Sequence, residues 1–348
     1  MTPSKPNKPS GIESLPVEVI DQIISYHAGS RAFLKNLRLV RPFHKSASAL
    51  VCNTFRFTLT PSNPDKLEEI CKTPFVNYVE TLHLKLDLSV YLFSKSQWDE
   101  TTAQAAMDCI ERCLKLFPRL KQLAVTCPPH WGGYYSSTAA RPDILQSVMT
   151  AFTLSPPPTL TELDVRFPER LKLTQPAGND DDANPNRGIA PWVANLHSIS
   201  LIFDQQYEHK DDAVCELLQY GANLETVRLR RYTRLYNTPR LLIHHKAPLK
   251  CLTLEGVTIS GESLAYTIAS FKRTVTHMVL DDVNLSDGRW EDVLLELSTC
   301  QNLVVLDLSR SMGYARGDQN YEAMLALFKR CRVIQDRARA RKIARSHD

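Results

Sequence analysis

Two rhythms of apolar positions divide the chain. Between residues 12 and 55, Leu15, Val19, Ile20, Ile23 and Ile24 recur at helical spacing. Ser14 is a good N-cap and Pro16 suits the first turn, where a missing N–H costs nothing, so a helix is expected there. Gly29 and Ser30 break the pattern. A second helix is expected to carry Phe33, Leu34, Leu37 and Val40, and a third, after Pro42, to carry Phe43, Ala47 and Leu50. From residue 79 the rhythm becomes apolar, two others, apolar, one other, apolar. Copies start at Val79, Leu120, Leu160, Leu196, Leu224, Leu249, Val275 and Leu303. Subtracting successive starts gives spacings of 41, 40, 36, 28, 25, 26 and 28 residues.

Each copy reads as a short strand, and helical patterns lie between them at residues 101–117, 211–220, 262–272 and 290–298. Strand and helix alternating at one period predict an α/β solenoid, a curved parallel sheet with helices on the convex side. The last four spacings fall in the range of leucine-rich repeats, and the first three fit the same unit carrying insertions. The tail of the motif persists in Val257-Thr-Ile259 and Val283-Asn-Leu285. Val there replaces the Asn common in that family, which marks the repeats as divergent. A doubly wound sheet also alternates strands with helices. Recurrence of one six-residue motif across eight strands weighs against it.

About 40 residues bury too little surface to fold with much margin, so the wide stripe on the N-terminal helices calls for a partner. The run Leu15-Pro16-x-Glu18-Val19-Ile20, then Ile23-Ile24, Leu37-Arg38-Leu39-Val40 and Phe43-His44, resembles an F-box of the fungal type over about an eighth of the chain. The chain departs from that pattern at His27, where Leu is usual, and between Val40 and Phe43, where the step is one residue short and holds Pro42. The resemblance implies that residues 11–55 form a three-helix module docking on the Skp-type adaptor of a cullin–RING ubiquitin ligase. Leu15, Pro16, Val19, Ile20, Ile23 and Ile24 would make that surface, with Leu37, Val40 and Phe43 in support. Residues 56–335 would be the leucine-rich-repeat-like domain that holds a protein substrate. Without the resemblance, the same helices read as a cap on an interaction scaffold with no ligase role.

Composition narrows the classes further. The 348 residues are 43% hydrophobic and 23% charged, as in folded proteins. A net charge of +4 is slight for this length and argues for neither nucleic acid nor membrane. No stretch approaches the roughly 18 apolar residues of a membrane span. Residues 1–10 read as a disordered leader rich in Pro and Lys, with no apolar h-region. Nine cysteines, an odd number without a C-x-x-C pair, indicate neither a disulfide framework nor a zinc ribbon. They point to a reducing compartment, cytoplasmic or nuclear. Cys109 and Cys113, four apart on one helical face, are expected as small core residues rather than metal ligands. Residues 336–348 form a basic tail after a last helix, with nuclear targeting as the alternative to a solvated end.

No catalytic signature occurs: G-x-S-x-G, G-x-G-x-x-G, the Walker loop and H-E-x-x-H are all missing. Asp180, Asp181 and Asp182 lack the Gly and Glu spacing of a calcium loop, and no cofactor or metal is expected. The expected role is non-catalytic. In a solenoid the residues between buried strand positions face the concave surface, which places Lys85, Arg166, Arg228 and Arg230 with Glu255, Asp281 and Asp307 there. Bases lie in the earlier strands and acids in the last three, an arrangement that orients a partner of opposite polarity. Residues 127–141 add Trp131, Tyr134 and Tyr135 beside two glycines, either a binding hot spot or a cover for the sheet edge. Residues 228–240 interleave arginines with tyrosines, either for stacking on single-stranded nucleic acid or as a solvated strand exit.

Overall fold

The computed structural model describes residues 15–26, 30–40, 43–60, 62–86, 100–126, 156–167, 191–203, 218–231 and 243–309, with 151, 311, 326–327 and 329. Expectations resting on residues 1–10, Ser14, His27, Gly29, Pro42, Trp131, Tyr134, Tyr135, Asp180, Asp181, Asp182, residues 211–217, residues 232–240 and the 336–348 tail lie outside these residues.

Nine strands form one sheet: β1 (Thr54–Leu59), β2 (Thr81–Leu86), β3 (Gln122–Thr126), β4 (Glu162–Phe167), β5 (Ser198–Phe203), β6 (Thr226–Arg230), β7 (Cys251–Glu255), β9 (His277–Asp281) and β11 (Val305–Asp307). Every pairing is parallel, and the order in space is the order along the chain. A doubly wound sheet reverses direction at a switch point. This one never does, so the fold is an α/β solenoid of the leucine-rich-repeat type. The motif tail forms its own small sheet, β8 (Thr258–Ile259) paired with β10 (Asn284–Leu285).

Register explains why the motif recurs. Leu84, Val125, Val165, Leu201, Leu229, Leu254 and Leu280 stand opposite one another strand after strand, all buried. Each such aliphatic side chain contributes about 1.5–3 kcal/mol relative to an exposed position. Polar backbone at the strand entrances is satisfied just as regularly. The Asn53 carbonyl accepts the N–H groups of Glu80 and Thr81, that of Glu80 accepts Lys121 and Gln122, and the scheme repeats to Thr276, which accepts Val304 and Val305. Helices α4 (Pro64–Cys71), α5 (Glu100–Leu114), α6 (Gly261–Phe271) and α7 (Trp290–Thr299) add Leu67, Ile110, Leu264, Ile268 and Leu294 to the same core. Ser260 caps α6 by accepting the Ser263 N–H at 3.4 Å.

Ahead of the sheet lie α1 (Val17–Tyr26), α2 (Arg31–Leu37) and α3 (His44–Cys52). Ile20, Ile24, Leu34, Phe43, Ala47 and Val51 close a second core, separate from that of the solenoid. Pro16 stands just before α1 rather than within its first turn: its carbonyl accepts the Val19 and Ile20 N–H groups at 3.1 Å, which makes it the capping position. Val40 lies beyond the end of α2, and α3 packs on the 3-10 turn Pro74–Tyr78 that leads into the sheet.

The sheet also starts one strand before the first copy read from sequence. Cys52-x-x-Phe55-x-Phe57 obeys the same template with aromatic residues, and Phe55 and Phe57 pair with Leu82 and Leu84. The sheet therefore begins at Thr54, and α4 follows its first strand.

Candidate functional site

The first surface is the outside of the N-terminal bundle. A bundle of three short helices buries only the residues pointing at its axis, and the nine residues nominated from sequence divide accordingly. Ile20 (5% exposed), Ile24 (1%) and Phe43 are inside the core. Leu15, Ile23 and Leu37 pack against it from its rim. Val19 and Val40 are exposed. Sequence periodicity missed most of the rest of this surface: Val17, Phe33, Leu50, Leu39 at 80% and Tyr26 at 88% exposure are also apolar and open. The sequence places Phe33 and Leu50 on the helices and Leu39 in the motif but nominates none of the five for this surface.

The second surface is the face of the sheet opposite the helices, where alternate strand residues point away from the core. One row across it runs Arg56, His83, Ala124, Asp164, Ser200, Arg228, Thr253, Val279, Asp307. A second carries Lys85 opposite Thr126, then Arg166, Ile202, Arg230, Glu255 and Asp281 in register. A third lies at the strand exits, where Arg231, Gly256 and Asp282 share positive φ values of 59°, 62° and 54°. Bases lie on β1, β2, β4 and β6 and acids on β7, β9 and β11, with Asp164 on β4 as the exception. All seven strand residues nominated from sequence therefore share one face. Arg56, Arg231 and Asp282, which the motif did not single out, extend it.

At the seam, Arg230 Nε donates to Glu255 Oε2 across adjacent strands. Both side chains are substantially exposed, so the pair contributes about 0–1 kcal/mol. Lys85, Arg166, Arg228 and Arg231 form no ion pair among the described residues. Small residues lie low between larger neighbours, leaving Ala124 and Thr253 buried on this face. Asp164 has one carboxylate oxygen buried without a hydrogen-bond partner. Burial, and secondarily Arg56, push the His83 pKa below its usual value, with Asp164 acting the other way.

Between α4 and α5 lies a group of buried thiols, Cys71, Cys109 and Cys113. Cys109 Sγ donates to the Pro64 carbonyl at 3.0 Å and stands 3.9 Å from Cys113 Sγ. The contact with Cys113, and then burial, raise the Cys109 pKa far above the usual thiol range. For Cys113 the contact with Cys109 acts downward, but hydrogen bonding to Cys71 and burial push it up to about 12. Thiols held protonated in a core are packing groups, as the sequence reading had them, and poor nucleophiles. His244 and His245 stack at 4.8 Å between centroids, with burial first, and then His245 and Lys246, holding the His244 pKa down.

No family model matches the chain, and no curated protein matches it. Solved structures do. A Bacteroides fragilis protein is 12% identical, covers 76% of each chain and has a TM-score of 0.40. An internalin from Listeria monocytogenes is 11% identical, over 77% of this chain and 76% of that one, with a TM-score of 0.23. The fold assignment rests on the sheet's own strand order and register. Among the described residues no helix is long and apolar enough to cross a membrane.

Proposed function

We propose that this chain is a non-catalytic substrate receptor of a cullin–RING ubiquitin ligase, an F-box bundle that docks a Skp-type adaptor ahead of repeats that hold a protein substrate. One observation carries the reading: the N-terminal helices close a core of their own and still leave Val17, Val19, Tyr26, Phe33, Leu39, Val40 and Leu50 exposed. Exposed apolar side chains in this number on so small a bundle are what a docking partner would cover. A partner seated there would bring the rigid solenoid, and whatever its open face holds, to a fixed distance from the enzyme carrying ubiquitin. Catalysis would then be proximity, with the bond-making groups on other subunits.

The rival reading is an interaction scaffold whose helices only cap the repeats. What favours it is the packing of α3 on the Pro74–Tyr78 turn, as a cap would pack. That contact engages α3, however, while most of the exposed apolar residues are on α1, α2 and the turn after α2.

Co-expression with a Skp-type adaptor and gel filtration test the assignment. Ile20→Asp is a poor probe, because it would break the bundle core. Leu39→Asp and Val40→Asp alter exposed positions instead. A stoichiometric complex with the parent chain, lost in both variants while their circular dichroism is unchanged, supports the receptor. A monomer indifferent to the adaptor leaves the scaffold.

A further inference from the structure

We propose that the open face of the sheet binds an unmodified, extended segment of a partner protein, acidic where it crosses β2 to β6 and basic where it crosses β9 and β11. This deepens the reading of the repeats as the substrate-holding part and stands independently of the adaptor surface. The first support is polarity. Glu255, Asp281 and Asp307 all lie on strands after β6 while Lys85, Arg166, Arg228 and Arg230 lie on β2 to β6, so the polarity does not rest on one ion pair, and Asp164 on β4 is the one acid among the bases. The second is availability. Lys85, Arg166 and Arg228 are exposed and make no ion pair among the described residues, whereas Arg230 and Glu255 neutralise each other at the seam.

Geometry sets the spacing of the partner's charges. Adjacent strands are about 4.8 Å apart, so β2 to β6 spans about 19 Å, or about six residues of extended chain. From β6 to β11 is about 14 Å, placing the basic residues about four positions beyond the last acidic one. A polyanion fits less well. The bases fall singly on β1, β2 and β4 and as Arg228 and Arg230 on β6, and Asp164 stands among them with a carboxylate oxygen that needs a donor. The acidic end at Asp281, Asp282 and Asp307 would repel a continuous run of phosphates. A bipolar segment uses both ends of the face and offers Asp164 a backbone or side-chain N–H.

Fluorescence anisotropy on the full chain tests this with two peptides of about 14 residues and identical composition, one with a Glu block followed by a Lys block and one with the same residues alternating; a second block peptide of reversed chain direction covers both orientations. Expected is binding of one block peptide about tenfold tighter than the alternating peptide, weakened about tenfold by Arg228→Glu and again by Asp307→Lys. Equal binding of block and alternating peptides overturns the proposal. So does tighter binding of an all-Glu peptide, a phosphopeptide or single-stranded RNA that Asp307→Lys improves. Adaptor co-purification of the same chains keeps the two readings apart, since neither residue is on the bundle: a parent chain that retains the adaptor yet shows no preference for a block peptide sinks only this proposal.

Discussion

His83 and Asp164 flank Ala124 on the open face, and the small side chain between them lets each feel the other across two strand steps. His83 is nevertheless held neutral by burial and by Arg56, so its folded pKa lies below 6.5. The unfolded chain therefore takes up this proton first as pH falls. Above pH 6.5 the group has no effect on stability, and below it the fold loses stability until the folded pKa is reached. Urea unfolding of the parent chain and His83→Gln, compared between pH 7 and pH 5, should show a smaller decline in the variant. Equal slopes would mean that His83 is solvated like a model imidazole. Successive motif copies align His83, Ala124 and Asp164 at one position, but the burial that holds His83 neutral was not legible in the sequence.

At the level of elements, the repeats were legible because their period is enforced by register: each of the eight motif copies lies on a strand of the sheet, and the paired positions keep the spacings read from the chain. β1 escaped because Phe55 and Phe57 replace the aliphatic signature, and α4 because an eight-residue helix offers only Leu67 and Cys71 as its buried pair. Which face of the bundle lies open was less legible, for a different reason. A helical stripe tells which residues share a side but not how wide the partner's groove is, and here it admits Ile20 and Ile24 while Val19 stays out. The joint between α6 and the turn before α7 depends on a detail of the same kind. A Cβ at Gly261 would stand 2.7 Å from the Asp287 carbonyl oxygen and 3.3 Å from the Gly288 Cα, both backbone. Gly261→Ala should therefore cost about 1–3 kcal/mol, read as a lower urea midpoint at unchanged slope. No change would mean that the two turns separate freely.

The molecule as a whole is a short chain of nearest-neighbour contacts with a second, smaller core at one end. In a solenoid each repeat is stabilised mainly by the repeats on either side, so the inner strands should open last. The bundle has only six buried apolar residues in its own core and leans on the solenoid through α3, which makes it the weakest cooperative unit. Hydrogen exchange should then protect β5 to β9 most and α1 and α2 least in the isolated chain. A ligand that binds only the folded bundle stabilises it by RT ln(1 + [L]/Kd), about 2.7 kcal/mol at a hundredfold excess over Kd. Under the receptor reading, adding a Skp-type adaptor should slow exchange in α1 and α2 by about a hundredfold and leave β5 to β9 unchanged. A bundle already as protected as the sheet in the free chain would mean that its apolar side chains are satisfied without a partner. That outcome would return the helices to the role of a cap, with the polar face of the sheet as the chain's remaining binding surface.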